Sequence, residues 1–324
     1  MMGCSTASKN NVVYLKNDHI KIGILPNVGG RMVFLSRIGG NNILKTDVDQ
    51  WNESEEERIK PSPFSEFKAY NGLITWVGPQ SQWWSDQDVN PELQDAKSIW
   101  PPDPYLIYGN FKIVNKTETS LTMIGLKSPV SGVQLTKHYT IKNNKLIIKV
   151  TGENIRNRAI SFDVWSNARF DGFTDFIVPA YDEDLLKVDS KESESVERLA
   201  YKIENGFFNF IKELPSKSDK ARIGKAFLHP QKGIIIAVRD NTFLLMEFDS
   251  VDKNKIHPDQ GFIEVYNEIS NEDEDGLLEL EHHSAYKTLK PGESNTLTET
   301  WSLYEYSGPK DHRDYYSFYK EIQP

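Results

Sequence analysis

Apolar and polar residues alternate with a period of two along most of this chain. The pattern starts in VVYLKNDHIKIGILP (12–26) and continues through GGRMVFLSRIGGNNIL (29–44), a hairpin-like pair punctuated by Gly-Gly. It returns in LIYGNFKIVNKTETSLTMIGLKS, GVQLTKHYTIKNNKLIIKVTGENI, AISFDVWSNARF, KAFLHPQKGIIIAVRDNTFLLMEF and LLELEHHSAYKTL, and closes in TLTETWSLYEY. Turn signals separate the runs, among them Lys142-Asn143-Asn144 and Pro291-Gly292-Glu293. Many short strands at a spacing of roughly 8–12 residues predict an all-β protein, a large antiparallel sandwich or barrel. Helical spacing is weak. SEEERIK and SVERLAYKIENGFFNFIKEL read as short helices, and DHRDYYSFYKEI as a terminal helix that packs tyrosines on the body. DEDLLKVDSKESESVERL reads as an exposed insertion, because strand patterning resumes after it. The expected organisation is a tether over 1–10, one domain over 11–307 and a helical tail over 308–324.

Composition narrows the class. The 324 residues are 38% hydrophobic and 11% aromatic, enough to build a large core. A net charge of −9 with scattered Lys and Arg offers no basic stripe for a nucleic-acid backbone. Apolar runs such as GIIIAV (233–238) are too short to span a bilayer. Cys4 is the single cysteine, so no intrachain disulfide can form. Its setting, MMGCSTASKNN, reads as the cleavage site and tether of a bacterial lipoprotein, without the apolar stretch of about 7–15 residues that precedes such a site. The lipoprotein reading predicts a lipid on Cys4 and a periplasmic or cell-envelope location. The alternative is an exposed thiol on a cytoplasmic chain.

Parity sorts the candidate chemistry. In 161–171, Asp163, Trp165, Asn167, Arg169 and Asp171 share the face opposite Phe162, Val164, Ser166, Ala168 and Phe170. Trp, Asn, Arg and Asp together supply the stacking and planar hydrogen bonds that sugar hydroxyls require. In 277–283, Glu279, Glu281 and His283 share a face with co-facial Cα atoms about 6.8 Å apart. Such a row can serve acid–base catalysis, and burial of both carboxylates raises at least one pKa. His257, followed by Asp259 and Glu264, is a weaker candidate. Residues 74–104 carry Trp76, Trp83, Trp84 and Trp100 in a stretch rich in Pro, Asp, Gln and Ser. At least one of these rings is structural, and Trp83, Trp84 or Trp100 is expected to wall a ligand groove. HExxH, P-loop, GxGxxG, GxSxG and CxxC signatures are missing, so no metal and no cofactor are expected.

ILPNVGGRMVFLSRIGGNNIL and LELEHHSAYKTLKPGESNTLTETWSLYEY resemble the opening hairpin and closing unit of the galactose mutarotase-like supersandwich proteins. Trp-Pro-Pro-Asp-Pro (100–104) extends the likeness to a bacterial family of uncharacterised function within that superfamily. The resemblance implies a large antiparallel β-supersandwich with few helices and a carbohydrate ligand. In aldose 1-epimerases a late-strand Glu removes the anomeric hydroxyl proton, and a His in an N-H-x-x-F-N strand protonates the ring oxygen. Glu281 falls on the Glu position, with Glu279 one pleat away. SNARFDG matches the His strand, with Phe170 on the Phe, Asp171 on the second Asn and Asn167 where the His should stand. An amide cannot deliver that proton near neutral pH. Three readings follow: an epimerase-like enzyme with Glu281 as base and His283 or His257 as acid, a lyase or hydrolase using Glu279 and Glu281, or a glycan-binding lipoprotein without turnover.

Overall fold

The computed structural model describes residues 11–190, 192–212, 220–270 and 276–323. Cys4 and the lipid-anchor expectation attached to it lie outside these. The alternating runs form two stacked sheets of eleven and ten strands. Among the described residues every pairing is antiparallel except that of Val196–Arg198 with Ala221–Leu228. Val133–Lys142 shows why such segments become strands. Its apolar residues point inward at every second position, and Asn143, at φ 54°, turns the chain into Lys145–Asn154.

Three apolar layers result. The main core lies between the sheets and contains Phe162, Val164, Ala168 and Phe170 of Ile160–Phe170, with Leu278 and Leu280 of Leu277–His283. A second, aromatic layer covers the outer face of the eleven-stranded sheet. A third lies outside the ten-stranded sheet, where helix His312–Ile322 buries Tyr315 and Tyr319 against Ile177, Phe207 and Phe243. The central strands of the eleven-stranded sheet are therefore buried on both faces.

Two helix expectations are corrected. SEEERIK contains only turns, and 196–210 forms the strands Val196–Arg198, Tyr201–Glu204 and Phe207–Phe210. Asn205-Gly206, both at positive φ, is a hairpin turn that outweighs the helix-like spacing of the flanking apolar residues. Among the described residues no helix is long and apolar enough to cross a membrane.

Candidate functional site

Leu73–Gly78, Ile160–Phe170, Leu277–His283, Ile263–Ile269 and Ala221–Leu228 are consecutive neighbours in the eleven-stranded sheet. Their register aligns the outward side chains in rows. Ile74, Asn167, Glu281, Glu264 and Phe227 form one row. Arg169, Glu279, Tyr266 and Lys225 form the next, and Trp76, Trp165 and His283 a third on the other side. With Asp163, which stands opposite Gly78, hydrogen-bonded pairing of strands far apart in sequence thus brings four carboxyls, three basic side chains and two tryptophans together.

The contacts among them are specific. His283 Nδ1 lies 2.9 Å from Asp163 Oδ1, and its Nε2 lies 3.3 Å from Glu264 Oε1. The Gln260 amide nitrogen is also 2.9 Å from His283 Nδ1. The Lys225 ammonium sits 2.7 Å from Glu264 Oε2 and 3.3 Å from Glu281 Oε2. The Trp165 indole N–H donates to Glu281 Oε2 at 2.9 Å. Arg169 pairs with Glu279 at 2.6 Å and donates to Asn71 Oδ1 at 3.1 Å, its guanidinium lying over Phe67 and Trp76. Gly78 is needed here, because a Cβ would collide with the Gln260 amide and stand 2.6 Å from Asp163 Oδ2.

Burial and charge shift these groups in opposite directions. Burial pushes Glu281 up to about 8, with Lys225 pulling the other way and Glu279 and Glu264 adding to the rise. Burial acts on Glu264 in the same sense, but Lys225 and His283 outweigh it and hold that carboxyl at about 2. For His283 burial opposes the charge, yet Asp163 and Glu264 prevail and raise it to about 9. Lys225 is raised too, its carboxylate neighbours overcoming desolvation.

One observation separates this cluster from a structural salt-bridge network. Asn167 is fully buried, and neither its amide oxygen nor its nitrogen has a protein partner. Glu281 Oε1, Asp163 Oδ2, Arg169 Nε, Gln260 Oε1 and the Trp76 indole nitrogen are also buried and unpartnered. Buried polar atoms are nearly always paired, so this many orphans on one face make it the candidate ligand-binding surface. The inner face of the same strands behaves differently. Ser166, His282 and Trp301 all bond to Glu299 within the core. His282, adjacent to His283 in sequence, stacks on Phe248 at 3.7 Å and takes no part in the outer cluster.

The tryptophan stretch covers this face. Trp83 donates to Val77 O and packs on Trp76 and Trp165, while Trp165 packs on His283. The tip of the cover is clipped to the loop before Ile263–Ile269. Ser81 Oγ donates to Asp259 Oδ2 at 2.6 Å, Gln82 Nε2 lies 3.3 Å from the His257 ring, and Tyr286 reaches Gln82 at 3.4 Å. Clefts of about 290 and 490 Å³ flank this clip and share Tyr286. The larger reaches Gln260, and the smaller reaches Trp83.

The structure thus gathers Trp165, Asn167, Arg169, Glu279, Glu281 and His283, as parity suggests. Four expected groups stand elsewhere. Asp171 is tied to Lys45 and Arg239 at the end of its strand, because the chain leaves the sheet there. Trp84 is fully buried beneath the cover and donates to Pro101 O, so it anchors the loop and does not face the cluster. His257 belongs to the clip. Trp100 lies on the outer surface, 43% exposed, with its ring tilted against Phe67 at 4.6 Å. Sequence parity puts Asp163 on the face and Glu264 beside His257 without marking either as a site residue, and it gives no place to Lys225 or Gln260. A lone Lys in the apolar run ARIGKAFL was the available signal for Lys225. Among the described residues no His, Cys, Asp and Glu groups stand in a metal-holding arrangement.

The sequence family described as a domain of unknown function, DUF4380, matches residues 11–304. No curated protein matches the chain. Among solved structures the chain is similar to the Slr1438 protein of Synechocystis, at 12% identity and TM-score 0.56, over 94% of this chain and 100% of that one. It is similar to a galactose mutarotase related enzyme from Lactobacillus acidophilus, at 13% identity and TM-score 0.52, over 91% and 98%. A galactose mutarotase-like protein from Lactobacillus casei gives 11% identity and TM-score 0.51, over 90% and 100%. At these identities the likeness establishes the fold. Matched over nearly its whole length, the chain belongs to the DUF4380 family and is built as a galactose mutarotase-like β-supersandwich.

Proposed function

We propose that the protein binds a neutral carbohydrate on the outer face of the eleven-stranded sheet, beneath the tryptophan cover. The observation that carries this reading is the buried, unpartnered Asn167 amide beside Glu281. An amide offers one donor and one acceptor edge, and vicinal hydroxyls complement both. Trp76, Trp83 and Trp165 supply apolar faces for sugar C–H groups. The three cationic groups of this face are already matched by its carboxyls, so a uronate or a sugar phosphate would bring an unpaired charge and a neutral ligand fits better. Entry requires release of the Ser81–Asp259 and Gln82–His257 clip, which opens the cover between the two flanking clefts.

The acid–base chemistry available is of the aldose 1-epimerase kind, with Glu281 as base and His283 as the acid that Asn167 cannot be. Glu281 gains base character only above about pH 8, and His283 keeps its proton up to about pH 9. Anomer interconversion would therefore peak between those values and be slow at pH 7. A second reading, binding without turnover, is favoured by Asn167 itself. Ligand titration followed by tryptophan fluorescence, with polarimetry on fresh aldoses at pH 7 and 8.5, tests both. Saturable binding with faster optical decay at pH 8.5 supports the enzyme. Binding with no acceleration at either pH supports the second reading, and no saturable binding of any neutral sugar rejects the proposal.

A further inference from the structure

The carbohydrate reading leaves open in what form Glu281 meets its ligand, and the surroundings of Lys225 answer this. We infer that Lys225 and Glu264 are positioning residues that keep the proton on Glu281, so that this side chain faces the ligand as a neutral hydrogen-bond donor. The inference rests on the carbohydrate reading for the ligand's identity, but it can be tested without any sugar.

Glu264 and Glu281 stand opposite each other on adjacent strands and share one ammonium. Their donors are divided unequally. Glu264 Oε2 receives Lys225 at 2.7 Å, while its Oε1 accepts the Gly261 N–H at 3.0 Å and faces His283 Nε2 at 3.3 Å. Both of its oxygens are thus served as those of a carboxylate. Glu281 receives the Trp165 N–H and the longer contact from Lys225 on Oε2 alone. Its Oε1 is buried with no protein partner of either kind, so the charge of a carboxylate would go unsupported there, whereas a neutral hydroxyl is free to donate to a ligand.

The charge count agrees. Ile160–Phe170 contributes Asp163 and Arg169 to this face, Leu277–His283 contributes Glu279 and His283, Ile263–Ile269 contributes Glu264 and Tyr266, and Ala221–Leu228 contributes Lys225, while Glu268, bonded to Tyr266, stands half-buried outside this enclosed set. Leu73–Gly78 brings no ionisable side chain. Three cationic side chains face four carboxyls including Glu281, and the buried set balances when one carboxyl stays protonated. The direction of the Glu281 shift is the same.

Two substitutions move the Glu281 titration in opposite senses. Glu264→Gln removes the competing anion and leaves Lys225 to Glu281, so the midpoint falls by about one to three pH units. Lys225→Met removes the shared cation, so the midpoint rises or leaves the accessible range. The measurement is an infrared pH titration of the protonated-carboxyl band in ligand-free protein, with Glu281→Gln identifying the band. Wild type should show the band at pH 7, and Glu281→Gln should lack it. A band that survives Glu281→Gln and disappears in Glu264→Gln places the proton on Glu264 and overturns the inference. So does a midpoint that both substitutions shift the same way, or leave in place as purely structural residues would. If Lys225→Met does not fold, Lys225→Met/Glu264→Gln removes both charges together, and Glu264→Gln alone still decides the sign. A correct band in a protein that binds no sugar leaves this inference standing and rejects the carbohydrate reading. Sugar binding with the band on Glu264 does the reverse.

Discussion

At the scale of single residues, Asn167 carries the functional argument because its amide is fully buried without a protein partner. A buried amide without partners costs on the order of 1–3 kcal/mol. Asn167→Leu is therefore expected to stabilise the fold by about 1 kcal/mol and to weaken ligand binding at least tenfold. Chemical denaturation and ligand titration of the same variant check both halves. An Asn that only filled space would give the opposite stability result. Glu281→Gln keeps the shape and the donor of a protonated carboxyl, so binding at pH 7 should persist, while any polarimetric rate at pH 8.5 should be lost.

At the scale of elements, the cover and its clip decide access. Trp84 is enclosed and bonded to Pro101 O, and Trp84→Ala should cost about 3–5 kcal/mol. Ser81→Ala with Gln82→Ala removes the clip's contacts without touching that anchor. Acrylamide should then quench tryptophan fluorescence more effectively with little change in denaturation midpoint, and unchanged quenching would mean that the cover is held by packing alone. Legibility also divides at this scale. The faces of Ile160–Phe170 and Leu277–His283 were readable, since strand parity depends only on local backbone geometry. That Glu281 sits between Asn167 and Glu264, and that Lys225 joins two carboxyls, was not readable. Those contacts depend on register between strands separated by tens of residues, which alternation does not specify. Parity equally failed to show that the polar face is closed over by the segment after Leu73–Gly78, because covering a sheet is a property of the loop. The helix expected in SVERLAYKIENGFFNFIKEL (195–214) failed for a local reason, as the Asn205-Gly206 turn was outvoted by apolar spacing that suits either structure.

At the scale of the whole molecule, a buried charge cluster at the centre of the larger sheet links stability to pH. The folded pKa of Glu281 lies above its unfolded value, so its contribution is complete below about 4.5 and is lost as pH rises through about 8. That of His283 is complete below about 6.5 and is lost towards about 9. Glu264, shifted down, acts in the other direction and withdraws its contribution as pH falls from about 4.5 to 2. Stability should therefore decline between pH 6.5 and 9, by up to about 1.4 kcal/mol per pH unit for each titrating group. Glu281→Gln should flatten the decline between 6.5 and 8. Thermal unfolding across this range provides the check, and a profile that rises over the same interval would contradict the assigned shifts.

The central claim is that the orphaned polar face is a sugar site, and its most direct test is an NMR titration of the tryptophan indole N–H signals with a panel of neutral mono- and disaccharides. The Trp165 and Trp76 signals should shift saturably with at least one sugar, and Asn167→Leu should abolish the shift while the protein remains folded. If no sugar in the panel moves these signals, or if Asn167→Leu leaves the binding curve unchanged, the account is wrong.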